Sequence, residues 1–159
     1  MRTLALSLLL ALAGCGGACP PAPRAATAGD ELAATPPAAS PPAEVRPLAR
    51  AARRVSPPGT ATVTLLAQGR NAFLGRLEME PGASVPEHQD DDEEYVHVLE
   101  GRGTIWIDGV EREVGPGDTI FMPAGATVRF QNGEERMVGI QVFAGPGSAA
   151  KYDRWRPIE

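Results

Sequence analysis

A sharp change of composition at Gly59 constrains this 159-residue chain more than any other feature. From Gly16 to Pro58 the sequence is dominated by Ala, Pro, Arg, Thr and Ser. It has no aromatic residue there, and apolar side chains larger than Ala occur singly. Such a segment cannot bury enough surface to offset its ordering entropy, and repeated Pro stiffens it toward polyproline II. After Gly59, short runs of Val, Ile, Leu, Phe and Thr alternate with turn residues. This pattern predicts strands at 61–67, 72–80, 84–88, 94–100, 103–108, 110–114, 118–122, 126–131 and 136–143. Asp108-Gly109 reads as a two-residue hairpin turn, and Gly115-Pro116-Gly117-Asp118, Pro123-Ala124-Gly125 and Asn132-Gly133 as further turns. No segment sustains a helical period. Many short strands in one small domain predict an all-β sandwich or barrel.

The chain is therefore expected to divide into a disordered Ala/Pro-rich tether, 15–58, and a folded domain, 59–159. A chain beginning near Val55 is expected to fold fully. Within the tether, 44–54 could form a short helix with Arg46, Arg50, Arg53 and Arg54 on one side, or remain a solvated basic spacer. At the other end, Tyr152 and Trp155 are expected to pack across the barrel edge.

Charge narrows the partners. The formal −5 splits into +3 through Pro58 and −8 from Gly59 onward. An acidic folded half without a basic stripe excludes nucleic acid, whose binding draws on phosphate neutralisation. Of fifteen basic residues only Lys151 is Lys, which we read as a coding bias toward Arg rather than as phosphate recognition. Cys15 and Cys19 both lie near the N-terminus, which excludes a fold built on disulfides.

The N-terminus reads as an address. Arg2 supplies a positive charge, and Leu4 to Ala13 is an apolar run too short to cross a ~30 Å hydrocarbon core as a helix. It suits a secretory signal. The run ends in Leu12-Ala13-Gly14-Cys15, which resembles the lipobox of bacterial lipoproteins. That resemblance implies a signal peptide over 1–14 and lipidation of Cys15. It also implies a place in the bacterial cell envelope, anchored to a membrane through lipid on the periplasmic or extracellular side. Ordinary secretory cleavage, leaving Cys15 as a thiol, is the alternative.

Two spaced motifs carry the chemistry. The stretch from Gly82 through His88, Asp90 and Glu94 to Gly101 resembles the first cupin motif, in which a Gly precedes His-x-His, a Glu and a second Gly. Gly117, Pro123, Gly125, Val128 and Asn132 resemble the second. The resemblance runs from Thr60 to Gly145 and implies a double-stranded β-helix, the jelly-roll barrel of cupins, with one open mouth. It also implies a divalent metal held by three His and one Glu. Carried over position by position, His88 and Glu94 match, Asp90 stands for the second His, and Val128 stands for the third. Asp can ligate; Val cannot. The implied metal set is His88, Asp90 and Glu94, for one ion of Mn, Fe or Zn bound weakly or not at all. Position 128 is expected on a strand facing His88 across the cavity. The bland reading is a solvated acidic rim from Asp90 to Glu94 with His88 as a polar residue at the mouth.

Strand parity sorts the neighbours. Glu94, Val96 and Val98 share one face, and Tyr95, His97 and Leu99 the other. His97 is therefore expected outside the cavity. Ile105 and Ile107 are expected in the core with Trp106 opposite them, either beside Tyr95 and His97 in a homodimer surface or as a wall of the pocket. Phe121, Phe130 and Phe143 are expected in the core, and Arg129 away from it.

Three functions follow. The first is a lipid-anchored extracytoplasmic cupin with a degenerate metal site that binds a small molecule in the barrel. The second is a metal-dependent cupin enzyme, an oxygenase, isomerase or decarboxylase. The third is a metal-free acid–base enzyme of the sugar-epimerase kind, with His88 paired to a carboxylate.

Overall fold

A computed structural model describes residues 41–145 and 147–158 of the chain. The expected signal peptide, Cys15, Cys19 and the expected tether up to residue 40 lie outside the described residues.

The described residues carry eleven strands: β1 (Arg53–Val55), β2 (Ala61–Gln68), β3 (Phe73–Met79), β4 (Ser84–His88), β5 (Glu93–Glu100), β6 (Gly103–Ile107), β7 (Val110–Val114), β8 (Thr119–Met122), β9 (Val128–Asn132), β10 (Met137–Ala144) and β11 (Arg156–Ile158). They form a seven-stranded sheet, β11-β1-β2-β3-β10-β5-β8, and a four-stranded sheet, β4-β9-β6-β7. Their pairings are antiparallel. The fold is all-β, two sheets packed as a jelly roll, as the sequence predicts. Nine strands follow the sequence pattern closely, because alternating apolar residues and turn residues are local signals. At the β6–β7 hairpin, Asp108 and Gly109 have φ of 49° and 78°, the left-handed pair that a tight hairpin turn requires.

Apolar side chains from both sheets meet between them. Met79, Val96, Val98, Ile105, Ile120, Met122, Val128, Phe130 and Met137 form the main core. A second cluster joins Val63, Phe73, Phe143 and Tyr152, with Trp155 edge-on to Tyr152 at 4.9 Å.

Several expectations need correction. The folded part does not begin at Gly59. β1 pairs with both β2 and β11, Val55 and Ser56 are buried, and Ser56 Oγ accepts a 3.0 Å hydrogen bond from Ala61 N. A three-residue strand leaves too little alternation to be seen in sequence, and its stability comes from partners on both sides. Of the two readings of 44–54, neither describes the whole stretch: Leu48–Arg50 forms a 3-10 turn and Arg53 begins β1. The C-terminal segment does more than lie across an edge. A 3-10 helix, Ser148–Arg154, leads into β11 and puts Tyr152 in the core.

Two side-chain placements also differ. Phe130 and Phe143 are buried, but Phe121 is 47% exposed and stacks on Tyr95 at 5.0 Å. On β8 the inward positions belong to Ile120 and Met122, so parity forces Phe121 out. Trp106 does point away from the core, yet not beside Tyr95 and His97. It lies on the outer face of the four-stranded sheet under the Arg129 guanidinium, 3.7 Å from its ring centroid, whereas Tyr95 and His97 belong to the seven-stranded sheet. A single surface made of all three does not exist.

Candidate functional site

A cavity of about 420 Å³ lies between the sheets, a volume suited to a small molecule. Its walls are apolar, with Leu77, Met79, Val96, Ile105, Ile120 and Phe130 among them. Buried Val96 and exposed Pro57 and Pro58 both line it, so it reaches the surface beneath the β1–β2 connection. Its polar residues are His88, Glu94, Gln141, Lys151 and Tyr152 with Ser56, Thr60 and Ser84.

His88 closes β4 in the four-stranded sheet, and Glu94 opens the inward face of β5 in the seven-stranded sheet. The short loop between them crosses from one sheet to the other and carries Asp90. It is held by Gly125 N donating to Asp90 O at 2.8 Å. This crossing brings the three residues together: one potential ligand atom from each lies within 4.8 Å of the others. His88, Asp90 and Glu94 therefore form a group that could hold a metal ion.

Val128 adds no donor to it. Its register also corrects the expected geometry: β9 is hydrogen-bonded directly to β4, with Val128 paired to His88 in the same sheet. It is a lateral neighbour of His88 rather than a residue across the cavity, and it is 7% exposed among apolar side chains.

The protonation pattern is partly dictated by partners. Nδ1 of His88 lies 2.9 Å from Pro86 O, an acceptor only, so Nδ1 carries the hydrogen and donates. In the neutral ring Nε2 then keeps its lone pair, 3.7 Å from Asp90 Oδ2. Glu94 is 8% exposed and accepts a 2.5 Å hydrogen bond from Gln141 Nε2, and Gln141 Oε1 in turn accepts one at 2.5 Å from the Tyr152 hydroxyl. Burial pushes the Glu94 carboxyl above its ordinary value, opposed by the Gln141 hydrogen bond and by the Lys151 charge. Burial also pushes the Tyr152 phenol up, so its proton stays in place as the donor to Gln141.

Gln141, Lys151 and Tyr152 were not legible as site residues. Gln141 could have been suspected, as a polar residue at an inward parity position of a strand otherwise apolar. Lys151 and Tyr152 gave no local signal. His97 is where parity puts it, exposed on the outer face, with Nδ1 2.9 Å from Thr119 Oγ1. Arg129 likewise faces away from the cavity.

Residues 75–143 match the family model described as Cupin domain. No curated protein matches the chain. Among solved structures, the Cnp3 cupin domain of Schizosaccharomyces pombe is similar at 17% identity and TM-score 0.52, over 54% of this chain and 64% of that one. An RmlC-like cupin from Shewanella frigidimarina is similar at 18% identity and TM-score 0.54, over 58% and 82%. A predicted oxalate decarboxylase from Thermotoga maritima is similar at 22% identity and TM-score 0.56, over 65% and 99%. At these identities the likeness is one of fold: the jelly roll is that of small cupins.

Proposed function

We propose that this cupin-domain protein binds a small, mostly apolar molecule with an uncharged hydrogen-bonding head, and that it does so without a tightly held metal. The observation that carries this reading is the cavity itself: apolar walls, Val128 at the position of an implied ligand, and polar groups gathered at one end. The charged groups at that end are already paired. Asp90 holds Lys151 at 2.6 Å, and Glu94 accepts a hydrogen bond from Gln141 Nε2. A ligand head therefore meets hydrogen-bonding groups rather than an unpaired charge. Removing about 200 Å² of apolar ligand surface from water contributes roughly 5 kcal/mol, and association costs reduce the net.

The probe is 2-naphthol, an apolar body with one hydroxyl. It should bind saturably, with a Kd on the order of 100 μM, and move the resonances of Val96, Ile105, Val128 and Gln141. No saturable binding by naphthol or by aliphatic alcohols, or shifts confined to the outer faces, would overturn the reading.

Acid–base catalysis without a metal is the second reading, favoured by one feature. Buried Glu94 is the candidate acid, with its carboxyl above the ordinary value, and His88 Nε2 is the candidate base nearby. Lipid anchoring in the bacterial envelope belongs to the same proposal. It is supported by the order of Arg2, the apolar run and Leu12-Ala13-Gly14-Cys15.

A further inference from the structure

We propose that the Lys151 ammonium is the resident cation of this site and keeps divalent metal ions out of the His88, Asp90 and Glu94 group. The inference rests on the metal-free reading above and gives it a cause. Lys151 Nζ lies 2.6 Å from Asp90 Oδ2, the same oxygen that faces His88 Nε2 at 3.7 Å. A metal drawing on both residues through that oxygen would compete with the ammonium for it. It would also face a positive charge already seated beside it.

The ammonium is held there from several directions. It sits 4.4 Å above the centroid of the buried Phe143 ring, within range of a cation–π attraction. Its helix is fastened at the start by Asp92, whose Oδ2 accepts hydrogen bonds from Gly147 N at 3.0 Å and Ser148 N at 2.7 Å. The next residue, Tyr152, is buried and bonded through Gln141 to Glu94. Asp90 and Asp92 of one loop thus grip Lys151 and Ser148 of one helix. Within the acidic run, Asp90 and Asp92 latch the C-terminal segment, while Asp91 and Glu93 are exposed.

The charges facing the ammonium are those of Asp90 from the loop and Glu94 from β5, with the His88 ring of β4 beyond them. One ammonium between two carboxylates halves the negative charge that would attract a divalent ion. The residue choice fits the role. Lys151 is the only lysine in a chain that uses Arg at every other basic position, and its ammonium is a compact point charge.

The test uses the purified full chain, stripped with chelator and titrated calorimetrically with Mn(II), a hard ion that does not favour the two cysteines. Wild type should bind with a Kd on the order of 1 mM or weaker. Lys151→Met, similar in length and uncharged, should bind at least about tenfold tighter. The gain should vanish in Lys151→Met combined with Glu94→Gln, and Lys151→Arg, which keeps the charge, should show none. Equal affinity of wild type and Lys151→Met would overturn the proposal, as would a gain that survives Glu94→Gln.

A measurement on wild type alone covers the case in which the variants fold poorly. With wild type and Mn(II) each at about 0.1 mM, the electron paramagnetic resonance signal of free Mn(II) should keep about nine-tenths of its protein-free height or more; loss of half the signal would overturn the proposal. Naphthol binding is followed on the same samples. Its absence throughout would sink the small-molecule reading, whereas an unchanged Mn(II) affinity would sink only the role of Lys151.

Discussion

Glu94 is the residue on which most of the site's chemistry turns, because it is a carboxyl buried with one hydrogen-bond donor and one nearby ammonium. Its pKa is raised by burial, so the folded state holds this proton more tightly than the unfolded chain does. The sign follows. Its contribution to stability is fully present below the unfolded glutamate value, about 4.3, and is lost as pH rises through the higher folded value. Glu94→Gln removes that titration. The melting temperature of wild type minus that of Glu94→Gln should therefore fall as pH rises from about 4 to neutral; a difference that stays constant would show that Glu94 does not titrate abnormally. His88, Asp90 and Glu94 were legible from a short motif because they lie within seven residues of one another. Gln141, Lys151 and Tyr152 were not, since their relation to Glu94 spans from 47 to 58 positions of chain and exists only once β10 and the C-terminal helix are in place.

The C-terminal helix and strands β1 and β11 act together as a clasp on the barrel. β1 joins β11 to β2, Trp155 packs against Tyr152, and Tyr152 packs among Phe73 and Phe143. Removing a large buried aromatic costs about 3–5 kcal/mol, a sizeable part of the roughly 5–15 kcal/mol that stabilises a domain. Tyr152→Ala should accordingly lower the unfolding free energy measured by urea denaturation by that amount, and a loss below about 1 kcal/mol would mean that the clasp contributes little. Deletion tests the other half. A chain starting at residue 59 lacks β1 and should melt well below one starting at residue 41; equal melting would return the domain boundary to Gly59. The sequence could not show this clasp. Each piece is three to seven residues long, below the length at which a periodic pattern separates from chance.

At the scale of the whole molecule, the described domain carries no helix long and apolar enough to cross a membrane. The proposed membrane attachment rests on Cys15, which closes the Leu12-Ala13-Gly14-Cys15 run. Cys15→Ala should release the protein from the membrane pellet, and persistence there through a high-salt wash would sink the lipid-anchor reading. The sequence alone determined that residues 59–145 form an all-β domain, which strands alternate, which face of β5 enters the barrel, and that position 128 supplies no ligand. Those are consequences of period-two burial and turn chemistry, which act over a few neighbouring residues. Only the tertiary structure decided that Phe121 points outward, that Val128 sits beside His88 rather than across from it, and that the lone lysine rests on Asp90. These depend on which strands become neighbours and on where a remote segment docks. Such contacts are selected by the packing of the whole core, so no stretch of local sequence can encode them.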